Sequence, residues 1–144
     1  LQVIAKGDLE VDFHHTVEDI GLVLGQTLLK TLEQKNKINR FGDACVPMDE
    51  SLSRVNIDLS NRPYLVYNIP EDLKVRDRFD ADLAREFFQA FCVTGAFNLH
   101  INVLYGRNEH HVLESIFKAL GKSLYQATRT NENIQGTLST KGTL

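Results

Sequence analysis

The chain has 144 residues, 42% of them apolar and 24% charged, with 16 basic against 19 acidic side chains and a net charge of −3. That length and balance suit one soluble globular domain with a real core. They exclude a basic footprint for nucleic acid or an anionic membrane, and no apolar run is long enough to span a bilayer or follows a basic leader.

Taken in order, Leu1–Ala5 alternates and ends at Gly7-Asp8, which predicts a strand and a turn. Leu9–Phe13 reads as a short extended stretch. From His15 to about Leu32, Val17, Ile20, Leu24, Leu28 and Leu32 recur at helical spacing. Phe41–Pro47 reads as turn and loop. Ser53–Leu59 alternates as a strand, and Pro63–Ile69 reads as its neighbour after Asn61-Arg62. Asp72–Asp80 is a charged connection. Asp82–Phe91 places Leu83, Phe87, Phe88 and Phe91 on one helical face. Phe97–Leu104 alternates as a strand, Gly106-Arg107-Asn108 turns, and a helix runs from about His111 to Ala127. The polar tail 129–144 is expected to be mobile. Cys45 and Cys92 have neither CxxC nor zinc-ribbon spacing and read as free thiols of a reducing cytoplasm.

One motif is written twice. His14-His15-x-x-Glu18 returns as His110-His111-x-x-Glu114, an offset of 96 residues that Ile20, Leu24, Gly25 and Leu28 share with Ile116, Leu120, Gly121 and Leu124. The repeat predicts a duplicated α+β fold: halves of β-β-α-β-α type, about 1–50 and 51–128, in one domain with helices packed between two sheets. The first half lacks its opening strands and first helix, so the chain is expected to begin inside a longer protein. No alternating βαβ series appears.

On a helix, positions i and i+4 share a face, while i+1 turns about 100° away. His14 with Glu18, and His110 with Glu114, are therefore candidate pairs for one ion each, with His15 and His111 turned towards another. Mixed imidazole and carboxylate donors suit Mn, Fe, Zn or Co. The order matches neither HExxH, nor HxxEH, nor the ExxH of di-iron bundles. A single such dyad is most often a surface pair; the matched repetition is what points to metal. His100, alone in its strand, reads as an ordinary histidine. Arg40, Arg62 and Lys118 are candidates to hold a phosphate, although Lys118, four residues after Glu114, equally fits a plain intrahelical ion pair. Asp12, Asp19 and Asp49 are candidates for general acid–base work or for orienting a ligand histidine.

These residues carry a resemblance. Gly7-Asp8-Leu9-Glu10-Val11-Asp12-Phe13-His14-His15-Thr16-Val17-Glu18-Asp19 is similar to the central motif of imidazoleglycerol-phosphate dehydratases of histidine biosynthesis. So are Pro47-Met48-Asp49-Glu50, Asp58-Leu59-Ser60-Asn61-Arg62-Pro63, His110-His111-x-x-Glu114-x-x-Phe117-Lys118-Ala119 and Ser139-Thr140-Lys141-Gly142. The resemblance implies a cytoplasmic lyase with two Mn²⁺ ions per active site. It would dehydrate D-erythro-imidazoleglycerol phosphate to imidazole-acetol phosphate, with the substrate imidazolate bridging the ions. It assigns His14, Glu18 and His111 to one ion and His15, His110 and Glu114 to the other; all six would thereby touch substrate. Glu86 stands where many members have a ligating His. Arg40, Arg62, Lys118, Thr140, Lys141 and Gly142 match substrate and phosphate contacts. Members also carry an N-terminal Asp-His-Met-Leu stretch with a further ligand His, and a Glu proposed for proton transfer; neither has a match here. They form trimers and 24-subunit shells with metal sites at subunit interfaces, so a homo-oligomer is expected. The alternatives are a dinuclear metal phosphoesterase and a non-catalytic, metal-assembled protein.

Overall fold

A computed structural model describes residues 1–32, 37–71, 73 and 79–134. Its elements in chain order are α1 (His14–Leu32), β1 (Phe41–Met48), β2 (Ser51–Asp58), β3 (Tyr64–Asn68), α2 (Ala81–Thr94), β4 (Asn98–Tyr105) and α3 (Glu109–Thr128). The α+β class is as expected. Among the described residues there is one four-stranded sheet, in the order β1-β2-β4-β3, and α2 and α3 pack against it while α1 packs on α2. A second sheet is not formed by these residues.

β1 and β2 are an antiparallel hairpin paired from Phe41↔Asp58 to Met48↔Ser51, which leaves Asp49 and Glu50 as its turn. Asp49 takes a positive φ of 47°, a conformation that Asp tolerates better than most residues. β2 pairs antiparallel with β4, with an irregularity at Leu52/Ser53. β3, expected as the neighbour of β2, instead pairs parallel with β4, which lies between the two, and α2 is the crossover that a parallel neighbour requires. One βαβ unit is thus embedded in an otherwise antiparallel sheet, although the sequence shows no βαβ series.

The buried face follows the period of two. In β2, Ser51, Ser53, Val55 and Ile57 point inward and their neighbours outward. Val55, Ile57, Leu99 and Ile101 meet Phe88 and Phe91 of α2 and Val112, Ile116 and Leu120 of α3 in one core. The Ser53 and Ser115 hydroxyls are both fully buried and hydrogen-bond to each other at 2.5 Å, so the contact of α3 with β2 leaves neither unsatisfied.

Two stretches differ from expectation. Residues 1–5 form no strand, and 9–11 form a turn closed by the Val11 N–H on the Asp8 carbonyl at 2.9 Å. Residues 1–12 are exposed, and no strand among the described residues pairs with them, so the alternating segment forms no ladder. Phe41–Pro47, expected as loop, is β1. Its inward residues Gly42, Ala44 and Val46 are small, while Phe41 and Cys45 point outward, which hides the alternation. Gly42 is required by closeness: a Cβ there would collide with the Ser123 carbonyl and lie 2.9 Å from the Ala127 nitrogen. Pro47 sits in an edge strand, where a missing N–H is tolerated. No helix among the described residues is long and apolar enough to cross a membrane.

Candidate metal centre

Both copies of the motif open a helix, and both use the same local device. The Asp12 carboxylate accepts the His14 backbone N–H at 2.8 Å, and the Asn108 side chain accepts the His110 N–H at 3.0 Å. Asp12 and Asn108 are themselves offset by the repeat period. Each satisfies a donor that a helix start leaves open. The candidate ligands therefore occupy the first turns of α1 and α3.

Within each copy, i and i+4 face each other. His14 Nε2 lies 3.8 Å from Glu18 Oε2, and His110 Nε2 lies 3.3 Å from Glu114 Oε2. An ion with bonds of about 2.0–2.2 Å spans donors about 3–4 Å apart, so each pair fits as a two-point chelate. The second histidine of each dyad turns away: ring centroids are 6.0 Å apart for His14 and His15, and 6.1 Å for His110 and His111. His15 Nδ1 lies 3.7 Å from Asp8 Oδ2. His111 is held more tightly, with Nδ1 2.7 Å from Glu50 Oε2 and Nε2 3.7 Å from Asp49 Oδ2.

The two copies do not meet. Among the described residues no three His, Cys, Asp or Glu side chains converge as a metal cluster. The His110 side chain is 65% exposed. A hard or borderline ion held by only two protein donors keeps open positions for further ligands.

Charge tunes the second copy. The Lys118 ammonium is 2.7 Å from Glu114 Oε1, leaving Oε2 towards His110. That hydrogen bond, the largest cause, holds the Glu114 carboxyl below the usual carboxylate range. Lys118 thus makes the intrahelical pair that its spacing allowed, and it also touches Met48 Sδ at 3.4 Å. The His111 hydrogen bond and the Asn108 N–H together draw the Glu50 carboxyl down to about 2, and in turn Glu50 raises the His111 imidazole.

The other candidates are scattered. Arg40 grips Asp58 through Nε at 2.7 Å and Nη2 at 3.2 Å, from a residue with φ of 66°. Arg62 is exposed in the turn after Asn61, and Asp19 is exposed on α1. Glu86 is half-buried in the middle of α2, with no hydrogen bond or ion pair to either dyad among the described residues. His100 lies on β4 with its ring 6.4 Å from Tyr64, apart from the dyads. Thr140, Lys141 and Gly142, and residues 135–144 generally, lie outside the described residues. Sequence reasoning named Glu50 only within the Pro47-Met48-Asp49-Glu50 motif and gave it no role: a separation of 61 positions from His111 does not announce the contact.

A family model described as imidazoleglycerol-phosphate dehydratase matches residues 1–124. The chain is 54% identical over 144 residues to the imidazoleglycerol-phosphate dehydratase of Trichlorobacter lovleyi, covering 100% of this chain and 74% of that protein. It is 52% identical, with the same coverage, to that of Geobacter sulfurreducens. Among solved structures, the imidazoleglycerol-phosphate dehydratase of Staphylococcus aureus superposes with a TM-score of 0.79 at 41% identity, covering 83% of this chain and 70% of that one. The enzyme of Pyrococcus furiosus, in complex with (S)-C348, superposes with a TM-score of 0.83 at 37% identity, covering 96% and 74%.

Proposed function

The chain belongs to the imidazoleglycerol-phosphate dehydratase family of histidine biosynthesis, and from that premise we propose a metal-dependent dehydration of D-erythro-imidazoleglycerol phosphate to imidazole-acetol phosphate. The reading is carried by the paired first turns of α1 and α3, each presenting an imidazole Nε2 and a carboxylate oxygen on one side. His14, Glu18 and His111 would hold one Mn²⁺, and His15, His110 and Glu114 the other, with Glu86 as a further carboxylate donor.

Two Mn²⁺ ions held by these residues would supply Lewis acidity towards the substrate imidazole. Each dyad separates its donors by about one-third of a helical turn, so adjacent histidines serve neighbouring positions. The open geometry of both motifs in one chain favours a site completed between copies, and so a homo-oligomeric enzyme; a cytoplasmic location is what the biosynthetic family suggests. Lys118, Arg62, Arg40 and the segment Thr140-Lys141-Gly142 are the cationic and polar groups for the phosphate. Loss of a C–H proton and a hydroxyl needs an acid–base group. Asp12 is engaged at a helix start, and Asp19 stands apart. Of these three, Asp49 is the one whose carboxylate lies beside the ring of a candidate ligand, 3.7 Å from His111 Nε2.

The test is turnover by the full-length protein with Mn²⁺ and imidazoleglycerol phosphate. Imidazole-acetol phosphate should form without inorganic phosphate. Phosphate without the acetol product would mean a phosphoesterase instead; metal uptake with no turnover would mean a metal-assembled protein.

A further inference from the structure

The β1–β2 turn reaches the start of α3. There both oxygens of Glu50 are committed: Oε2 lies 2.7 Å from His111 Nδ1, while Oε1 accepts the Asn108 N–H at 2.9 Å and lies 3.4 Å from the Arg107 nitrogen and 3.2 Å from the Ser51 hydroxyl. A backbone N–H can only donate, and an ionised carboxylate can only accept. The proton between Glu50 and His111 therefore sits on Nδ1. A neutral imidazole with Nδ1 protonated keeps its lone pair on Nε2, the nitrogen available to an ion.

We propose that Glu50 is the positioning residue of the metal centre. It holds His111 in the Nδ1–H tautomer with Nε2 offered as the ligand, and pins the first turn of α3 to the hairpin. The proposal rests on the metal-centre reading above. Asp49 cannot share this role, because it lies on the Nε2 side of the same ring, at 3.7 Å. Among the described residues the first copy has no equivalent at such range, since His15 Nδ1 is 3.7 Å from Asp8. Positioning is thus asymmetric between the dyads.

The requirement is for a carboxylate and not merely for a polar group. Every partner of Glu50 can donate: the imidazole, two backbone N–H groups and a hydroxyl. Gln offers one acceptor oxygen and must turn its NH₂ against one side. Turned to His111, it makes Nδ1 the acceptor, moves the proton to Nε2 and blocks the ligand. Turned to Asn108, it gives up the start of α3.

The test uses the full chain, metal-free, at a pH above the raised His111 value, where the ring is neutral. Imidazole ¹⁵N resonances of the wild type should show His111 protonated on Nδ1; E50Q should shift that proton to Nε2 or mix the two forms. Equilibrium dialysis with Mn²⁺ alone should show affinity lowered about 10- to 100-fold in E50Q. A cap with no positioning role would lower the melting temperature and leave the tautomer unchanged. The proposal is overturned if wild-type His111 carries its proton on Nε2, or if folded E50Q keeps both tautomer and Mn²⁺ affinity. Should E50Q not fold, the wild-type tautomer decides. If the wild type takes up no Mn²⁺, the metal-centre reading falls, while the tautomer still tests the Glu50 contact.

Discussion

Gly25 and Gly121 occupy the same place in the two copies of the repeat, yet substituting Ala should have opposite effects. α1 is seated on α2, and its buried residues are Gly21 and Gly25. A Cβ on Gly25 would lie 2.6 Å from the Phe91 carbonyl oxygen and 2.8 Å from the Gly95 nitrogen, and would strike the Thr94 hydroxyl. Two of those are backbone atoms that cannot swing aside, so α1 must move outward. Overpacking of this kind costs about 1–3 kcal/mol, against about 1 kcal/mol gained from replacing Gly by Ala inside a helix. The net for G25A is a loss of up to about 2 kcal/mol, centred on about 1 kcal/mol. At Gly121 a Cβ meets nothing within 4 Å, so G121A keeps only the helix gain, about 0.5–1 kcal/mol. For a chain of this size each kcal/mol moves the melting temperature by roughly 4 °C. Circular-dichroism melts of the two variants should therefore depart from wild type in opposite directions, by several degrees between them. G121A as destabilising as G25A would refute the reasoning, since α3 would then have a neighbour seated on that face.

Other consequences are as direct. H14A and H110A should each lower Mn²⁺ content in elemental analysis, and full occupancy in both would remove these residues as ligands. In the metal-free protein His111 is raised above 6.5, so its contribution to stability is complete below that pH and is lost as pH rises through the raised value. Glu50 is lowered from 4.5 to about 2, so its contribution is complete above 4.5 and is lost as pH falls towards 2. Urea melts should thus show the pair contributing most between those limits, and E50Q should flatten both edges. R40A should cost about 1.5–3 kcal/mol by breaking a charged hydrogen-bonded pair, with side chains only 14% and 21% exposed. R40G should cost less than R40A, because φ there is 66°. An unchanged urea midpoint in R40A would dismiss the pair as structural glue.

Much of the architecture was legible because its signals are local. Period-two burial marked β2 and β4, and the spacing of Phe87, Phe88 and Phe91 marked α2. The constant offset of the dyads placed both at helix starts, where the matching Asp12 and Asn108 acceptors were then found. β1 was missed because its inward residues are small for the sake of α3, while Phe41 and Cys45 face outward. Residues 1–5 were misjudged because alternation says what a strand would bury, not whether an edge is there to receive it.

The site divides the same way. The sequence by itself determined the candidate donor types, their pairing at i and i+4, and the recurrence of the motif at a fixed offset, since helical phase follows from spacing alone. Only the tertiary structure decided that Arg40 grips Asp58, that Lys118 takes one oxygen of Glu114, and that Glu50 closes on His111. The contacts to Asp58 and Glu50 depend on which strands pair and how a two-residue turn is aimed at a helix start. Pairing and aim are set by packing across the whole sheet, where distance along the chain carries no information.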